Sequence, residues 1–180
     1  MNLFDPLVSF DTISQDELNW CLTRWGHKMG PLNRPPEYGF GAHGLRHSGV
    51  LVAVTAWSAL IRETCAGMEF LPRERTIELS RMCASRPDLN RATIRLWREF
   101  AFPSICQARG AEWAVSYQDG TLHSGQLYRF DGWTRLGEFR SGGSDPRTER
   151  PGRKGTVWGW HADAAERERR WTSPKLKAAA

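Results

Sequence analysis

Four cysteines, Cys21, Cys65, Cys83 and Cys106, stand far apart in this 180-residue chain, and no C-x-x-C pair occurs. That scarcity excludes a zinc knuckle and a compact disulfide framework, and reduced, mostly buried thiols are the expectation. No apolar run approaches the ~18 residues of a membrane span, and "MNLFDPLVSF" at the start has no basic segment ahead of an apolar core. A cytoplasmic protein with no membrane partner is expected. The glycine patterns that cradle phosphates, G-x-x-x-x-G-K-[ST] and G-x-G-x-x-G, are missing, and no Ser-His-Asp order marks a hydrolase. With no internal repeat and no second domain in view, the chain reads as one domain over residues 1–160 and a basic tail over 161–180 that begins as a helix and frays.

What is present fits a folded α/β domain. Hydrophobic residues make up 40% of the chain and charged residues 25%, and a chain of this size buries roughly 70% of its unfolded surface. The net charge of +5 permits a polyanionic partner such as DNA, RNA or a nucleotide cofactor. "SQDELNWCLTRW" has Ser14 and Glu17 at capping-box spacing and apolar residues at helical intervals, which predicts a helix over 14–25. "GHKMGPLNRPPEYGFGAHG" then reads as a Gly/Pro-rich loop carrying His27, Lys28, Arg34, Tyr38 and His43.

"SGVLVAVTAW" and "RTIELSRMC" are strand candidates. Strict alternation in the second puts Ile77, Leu79 and Arg81 on one face and Glu78, Ser80 and Met82 on the other. Residues 90–109 read as a helix that Pro103 kinks or splits, with Arg91, Arg95 and Arg98 sharing a basic face. "AEWAVSY", "WTRLGEF" and "GTVWGWH" are further strands, and the Gly-rich stretch 140–154 reads as a mobile loop.

Strand 76–83, helix 90–109 and strand 111–117 form a right-handed β-α-β unit with parallel strands. Ligands of open α/β sheets bind beyond the carboxyl ends of such strands, here "MCAS" and "SYQD". The polar run "SYQDGTLHSGQLYRFDGW", residues 116–133, therefore starts where a site is expected. Asp119 could accept a proton or anchor a donor, and Tyr128 could return a proton to a leaving group. His27 or His123 could act as base, or as a metal ligand beside Asp119. Residue by residue, a turn cap remains the plainer reading of such groups.

The order of elements resembles the GNAT acyl-CoA transferase fold, an α/β (α+β) architecture with a mixed central sheet flanked by helices. That resemblance implies acyl-CoA, acetyl-CoA in particular, as cofactor. Its phosphates would fall at "SRPDLNRAT", on Ser85, Arg86, Asn90 and Arg91, although this turn contains no glycine.

A narrower resemblance covers residues 25–160. "IELSRM", "SYQDGTLHSGQLYRFDGW" and "KGTVWGW" are similar to the Mom family of phage DNA-modification proteins, whose pattern runs E-L-x-R, S-Y-A-D, H-x-G, I-Y. The resemblance implies an enzyme that places a methylcarbamoyl group on adenine N6 in double-stranded DNA and so protects phage DNA from restriction. It implies catalytic roles for Asp119, Tyr128, Arg81, Ser116 and His27, with His27 and Asp119 as ligands of an iron ion. Lys28 stands where the family has tyrosine, and Gln118 where it has a small residue.

Adenine N6 is conjugated with its ring, so a transferase must activate it, and a base inside a duplex must be flipped out to be reached. Lys28, Arg34, Arg95, Arg153 and Lys154 are the residues expected to grip the DNA backbone, and Trp25, Trp133 or Trp158 to stack on the flipped base. Two other readings compete. One is a GNAT-type N-acetyltransferase acting on an amine of a small molecule or a hypermodified base, and the other is a non-catalytic DNA-binding module. Monomer and homodimer are both open.

Overall fold

In the computed structural model, which describes residues 6–34, 39–140 and 153–171, the chain opens with a strand, Val8–Thr12 (β1), and a helix, Gln15–Arg24 (α1). The capping box forms as the sequence predicts: the Glu17 amide donates to Ser14 Oγ at 3.1 Å and the Ser14 amide to Glu17 Oε2 at 3.0 Å. Leu18, Cys21 and Leu22 of α1 are fully buried, each contributing about 1.5–3 kcal/mol for a leucine-sized group.

The Gly-rich stretch after α1 is not loop throughout. Phe40–His47 is a strand (β2), antiparallel to β1 and to Val50–Ala59 (β3). Its glycines answer to packing, since a Cβ at Gly41 would lie 2.3 Å from the Trp57 indole and one at Gly44 would lie 2.4 Å from Leu51. Tyr38 of that stretch lies outside the described residues.

A small hairpin, Thr64–Cys65 (β4) and Met68–Pro72 (β5), precedes Thr76–Ala84 (β6). The long helix that follows is Asn90–Leu96 (α2), a π-helical turn at Trp97–Ala101, and Phe102–Arg109 (α3). Pro103 sits in the first turn of α3, and the wider π turn ahead of it accommodates the missing N–H, so the helix is split without being broken. Trp113–Asp119 (β7), Gln126–Phe130 (α4), Thr134–Arg140 (β8), Lys154–His161 (β9) and Ala164–Trp171 (α5) complete the order. Residues 141–152 of the expected mobile loop and 172–180 of the tail lie outside the described residues.

The seven-stranded sheet runs β1-β2-β3-β6-β7-β9-β8, and only β6 and β7 are parallel neighbours. On one face, α2 and α3 cover Trp57, Ile77, Leu79, Ala114 and Trp158. On the other, α1 covers Ala42, Val54, Ala56 and Cys83. Trp97 and Trp133 stack with centroids 6.4 Å apart at the centre of the first layer. Trp133 and Trp158, 1% and 7% exposed, are therefore core residues and not free faces for a base. No helix among the described residues is long and apolar enough to cross a membrane. The four thiols are free.

Strict alternation fails in β6. Leu79 pairs with Trp57 and Arg81 with Ala56, so Ser80 is an extra residue, a β-bulge whose hydroxyl meets Ser58 Oγ at 2.7 Å. The bulge resets the phase: Met82 packs with Ile77 and Leu79 under α2 and α3, while Cys83 packs under α1. Arg81 consequently shares the α1 face with Glu78, not the Ile77–Leu79 face.

Candidate active site

Parallel pairing between β6 and β7 covers only Thr76↔Trp113, Ile77↔Ala114 and Glu78↔Val115. Both strands continue beyond it, β6 to Ala84 and β7 to Asp119, so they part at the bulge and open a gap toward their carboxyl ends. The Ser116 hydroxyl reaches into this gap and donates to the Leu79 carbonyl at 3.2 Å. Tyr128 Oη lies 2.8 Å from Ser116 Oγ, and with the serine proton committed to Leu79 the tyrosine is the donor.

Tyr128 is held tightly. Trp158 stacks on its ring at 5.7 Å and 14°, and Trp133 meets it edge-on at 5.5 Å. Gln118 locks the surrounding turn, its Nε2 donating to the His123 carbonyl at 2.5 Å and its Oε1 accepting from Trp158 Nε1 at 2.8 Å. Gly125 starts α4 at φ +75°, where a Cβ would sit 2.5 Å from Gln118 Oε1, so a side chain there would break the clamp. Burial pushes the Tyr128 hydroxyl above the usual tyrosine range, against the pull of Ser116.

The α1 side of the gap is charged. Glu78 faces Arg34 at 3.7 Å, both side chains being largely buried. Burial pushes the Glu78 carboxyl above the usual range, while Arg34, Arg81 and Arg153 pull it down. Arg81 donates to the carbonyls of Ser80 at 2.8 Å and Gly30 at 3.4 Å, tying β6 to the segment after α1. Arg153 lies 3.8 Å from the Met29 sulfur.

Asp119 caps its own turn. Its Oδ1 accepts from the Thr121 amide at 2.9 Å and the Thr121 hydroxyl at 2.6 Å. Those bonds hold its carboxyl below the usual range, with Arg153 and His123 adding to the effect. Alternation along β7 places Tyr117 and Asp119 on the face opposite Ser116 and Gln118. The structure thus joins Ser116 to Tyr128 and does not join Asp119 to them.

The remaining sequence-predicted residues spread over the surface. His27 Nδ1 accepts from the Met29 amide at 3.3 Å in the turn after α1. Among the described residues no group of three or more His, Cys, Asp and Glu gathers as a metal site would require, so His27 and Asp119, expected as iron ligands, belong to no such group. Lys28 and Lys154 are exposed. Arg95 of α2 and Arg98 of the π turn face the fully buried Asp131, at 3.6 Å and 2.9 Å, so two of the three arginines of the basic row anchor the end of α4, and Arg91 stays exposed. Arg86 pairs with Asp88 at 2.6 Å beside the exposed Ser85 and Arg91, with Asn90 half-buried.

Sequence reasoning gave Glu78 and Gln118 no role at the site, and expected Trp158 to stack on a base where the structure stacks it on Tyr128. A lone glutamate inside the apolar strand "TIELS" was the available signal for Glu78. Nothing in the sequence reports that Gln118 and Trp158 meet.

The sequence matches no protein-family model and no curated protein. Solved structures are similar throughout the fold. A probable acetyltransferase from Staphylococcus epidermidis superposes with a TM-score of 0.60 at 10% identity, covering 87% of this chain and 99% of that one. An aminoglycoside acetyltransferase, solved with coenzyme A and kanamycin, gives 0.59 at 11% identity over 90% of this chain and 99% of that one. A probable acetyltransferase of the GNAT family from Chromobacterium violaceum gives 0.58 at 14% identity over 87% and 84%. The fold is therefore the GNAT acyltransferase fold, a single α/β domain with a mixed central sheet and helices on both faces.

Proposed function

We propose that this chain transfers an acyl-type group to an amine, and that the amine is the exocyclic N6 of adenine in DNA. The observation that carries the first half is the β6–β7 gap, which has a buried carboxylate, Glu78, on one side and a clamped proton donor, Tyr128, on the other. The second half is supported by the E-L-x-R, S-Y-x-D, H-x-G and L-Y series, while Arg34, expected to grip the DNA backbone, is instead largely buried against Glu78.

At its thioester end an acyl-CoA would lie between the strands beyond Glu78↔Val115, in place of the bond that Ser116 makes to the Leu79 carbonyl. At the phosphate end Arg86, Arg91 and Ser85 would hold the charge in place of glycine amides, with Asp88 giving up its pair to Arg86. A bound thioester would supply an activated carbonyl. The chain's own residues then handle the protons. Glu78 takes the proton that the amine loses as the new N–C bond forms. Tyr128, oriented by Ser116, gives one to the sulfur whose bond to the acyl carbon breaks.

Nucleoside mass spectrometry of total DNA from cells expressing the protein tests this reading, paired with an assay of thiol release from acetyl-CoA in the presence of small amines. A heavier deoxyadenosine that disappears with Tyr128→Phe is the expected result. Thiol release driven by a small amine, with unmodified DNA, leaves the amine transfer standing and removes DNA as acceptor. Salt-dependent DNA binding with neither activity overturns the enzyme reading in favour of a binding module.

A further inference from the structure

A groove of about 480 Å³ opens beside α1, lined by Trp20, Arg24, Trp25, Arg46 and Leu51 and reaching Ser85 at the end of β6. Trp20 leaves 60% of its area in solvent, and Val50 across the groove leaves 64%. Trp20 and Arg24 are four residues apart on α1 and share one helix face, away from the buried Leu18, Cys21 and Leu22. Arg24 makes no ion pair or hydrogen bond among the described residues. Arg46 binds Glu17 at 2.7 Å and the Gly49 carbonyl at 3.2 Å, which leaves Arg24 as the cation of the groove without a protein anion.

An exposed indole next to an unengaged guanidinium is the pair that recognises a planar base joined to a phosphate. The groove lies on the α1 face of the sheet, which also carries Glu78 and Arg81. Ser85, one residue past the end of β6, is roughly 23 Å along the strand from Glu78 at 3.3 Å per residue. We infer that this groove holds a nucleotide of the DNA strand carrying the acceptor base, its base stacked on Trp20 and its phosphate on Arg24. The inference rests on the DNA reading of the acceptor, yet it concerns binding and not the chemistry.

Anisotropy of a labelled single-stranded oligodeoxynucleotide titrated with the full chain tests it. Trp20→Ala weakens binding by about 5- to 150-fold with the salt slope unchanged. Arg24→Ala lowers the slope of log K against log salt by about one. Trp20→Phe, which keeps an aromatic face, restores most of the affinity. Free dAMP competes far less well than the unlabelled strand. Wild-type affinity and slope in both alanine variants overturn the inference, and so does displacement by dAMP or heparin as effective as by the strand itself. Both side chains are exposed, so an unchanged melting temperature separates lost contacts from lost folding. Binding that follows these lines while no base is modified removes the proposed activity alone; modification with unimpaired binding in both variants removes the groove alone.

Discussion

On the α2–α3 side of the gap between β6 and β7, Tyr128, Ser116 and Gln118 are held by one another and by indole rings, without a formal charge among them. On the α1 side, Glu78 lies with Arg34, Arg81 and Arg153 acting on it. On the proposed mechanism one side supplies a half-buried proton donor held by its neighbours, and the other a charged acceptor. Neutral hydroxyls tolerate burial when hydrogen-bonded, whereas a buried carboxylate needs cations nearby. The arrangement suits a reaction that takes a proton on one side and returns one on the other.

The sharpest way to break that division is to remove either proton carrier. Glu78→Gln and Tyr128→Phe should each lower modification by about 10²–10⁴-fold, read as modified nucleoside per genome at equal protein level. Their pH dependence separates them. Because burial raises the Glu78 carboxyl, kcat/KM should fall as pH drops through that raised value, above the ordinary glutamate range, and Glu78→Gln should flatten this acidic limb. Tyr128→Phe should lower the rate at every pH and keep the limb.

The clamp comes next in size. Gln118→Leu would leave the buried Trp158 N–H without its partner, at a cost of about 1–3 kcal/mol. Urea unfolding should show the loss, and activity should fall through kcat, because Trp158 no longer fixes the ring of Tyr128. Unchanged stability would mean that water replaces the glutamine.

Much of this was legible in the sequence, and the failures have physical causes. The β-α-β unit and the polar run after β7 follow from periodicity and turn residues, and they place the gap correctly. The strand β2 was hidden because Gly41 and Gly44 read as loop, whereas each is dictated by a side chain packed against it. The face of Arg81 was misassigned because a one-residue bulge leaves no local mark and reverses every later position of β6. The pairing of Arg95 and Arg98 with Asp131 was invisible for a similar reason, since the carboxylate comes from α4's far end, 33 residues on from Arg98. Ser116 and Tyr128 could be named as residues, but their meeting depends on the αL start of α4 at Gly125.

Asp119 gives the smallest effect and the finest test of the two-sided site. Its turn bonds depress its carboxyl, so the stability it adds is present above the unfolded aspartate value and is lost as pH falls through the lower folded one. Glu78 has the opposite sign: its folded value is raised, so its contribution is full at low pH and declines as pH rises through that value. Asp119→Ala should cost about 1 kcal/mol near neutral pH, the usual worth of a lost side-chain cap, seen as a lower melting temperature. Asp119→Asn, whose amide oxygen can still accept from Thr121, should recover most of that loss and retain modification. Loss of modification in Asp119→Asn at an unchanged melting temperature would instead move the carboxylate's charge into the chemistry, and with it the acceptor's proton would have two bases on the α1 side instead of one.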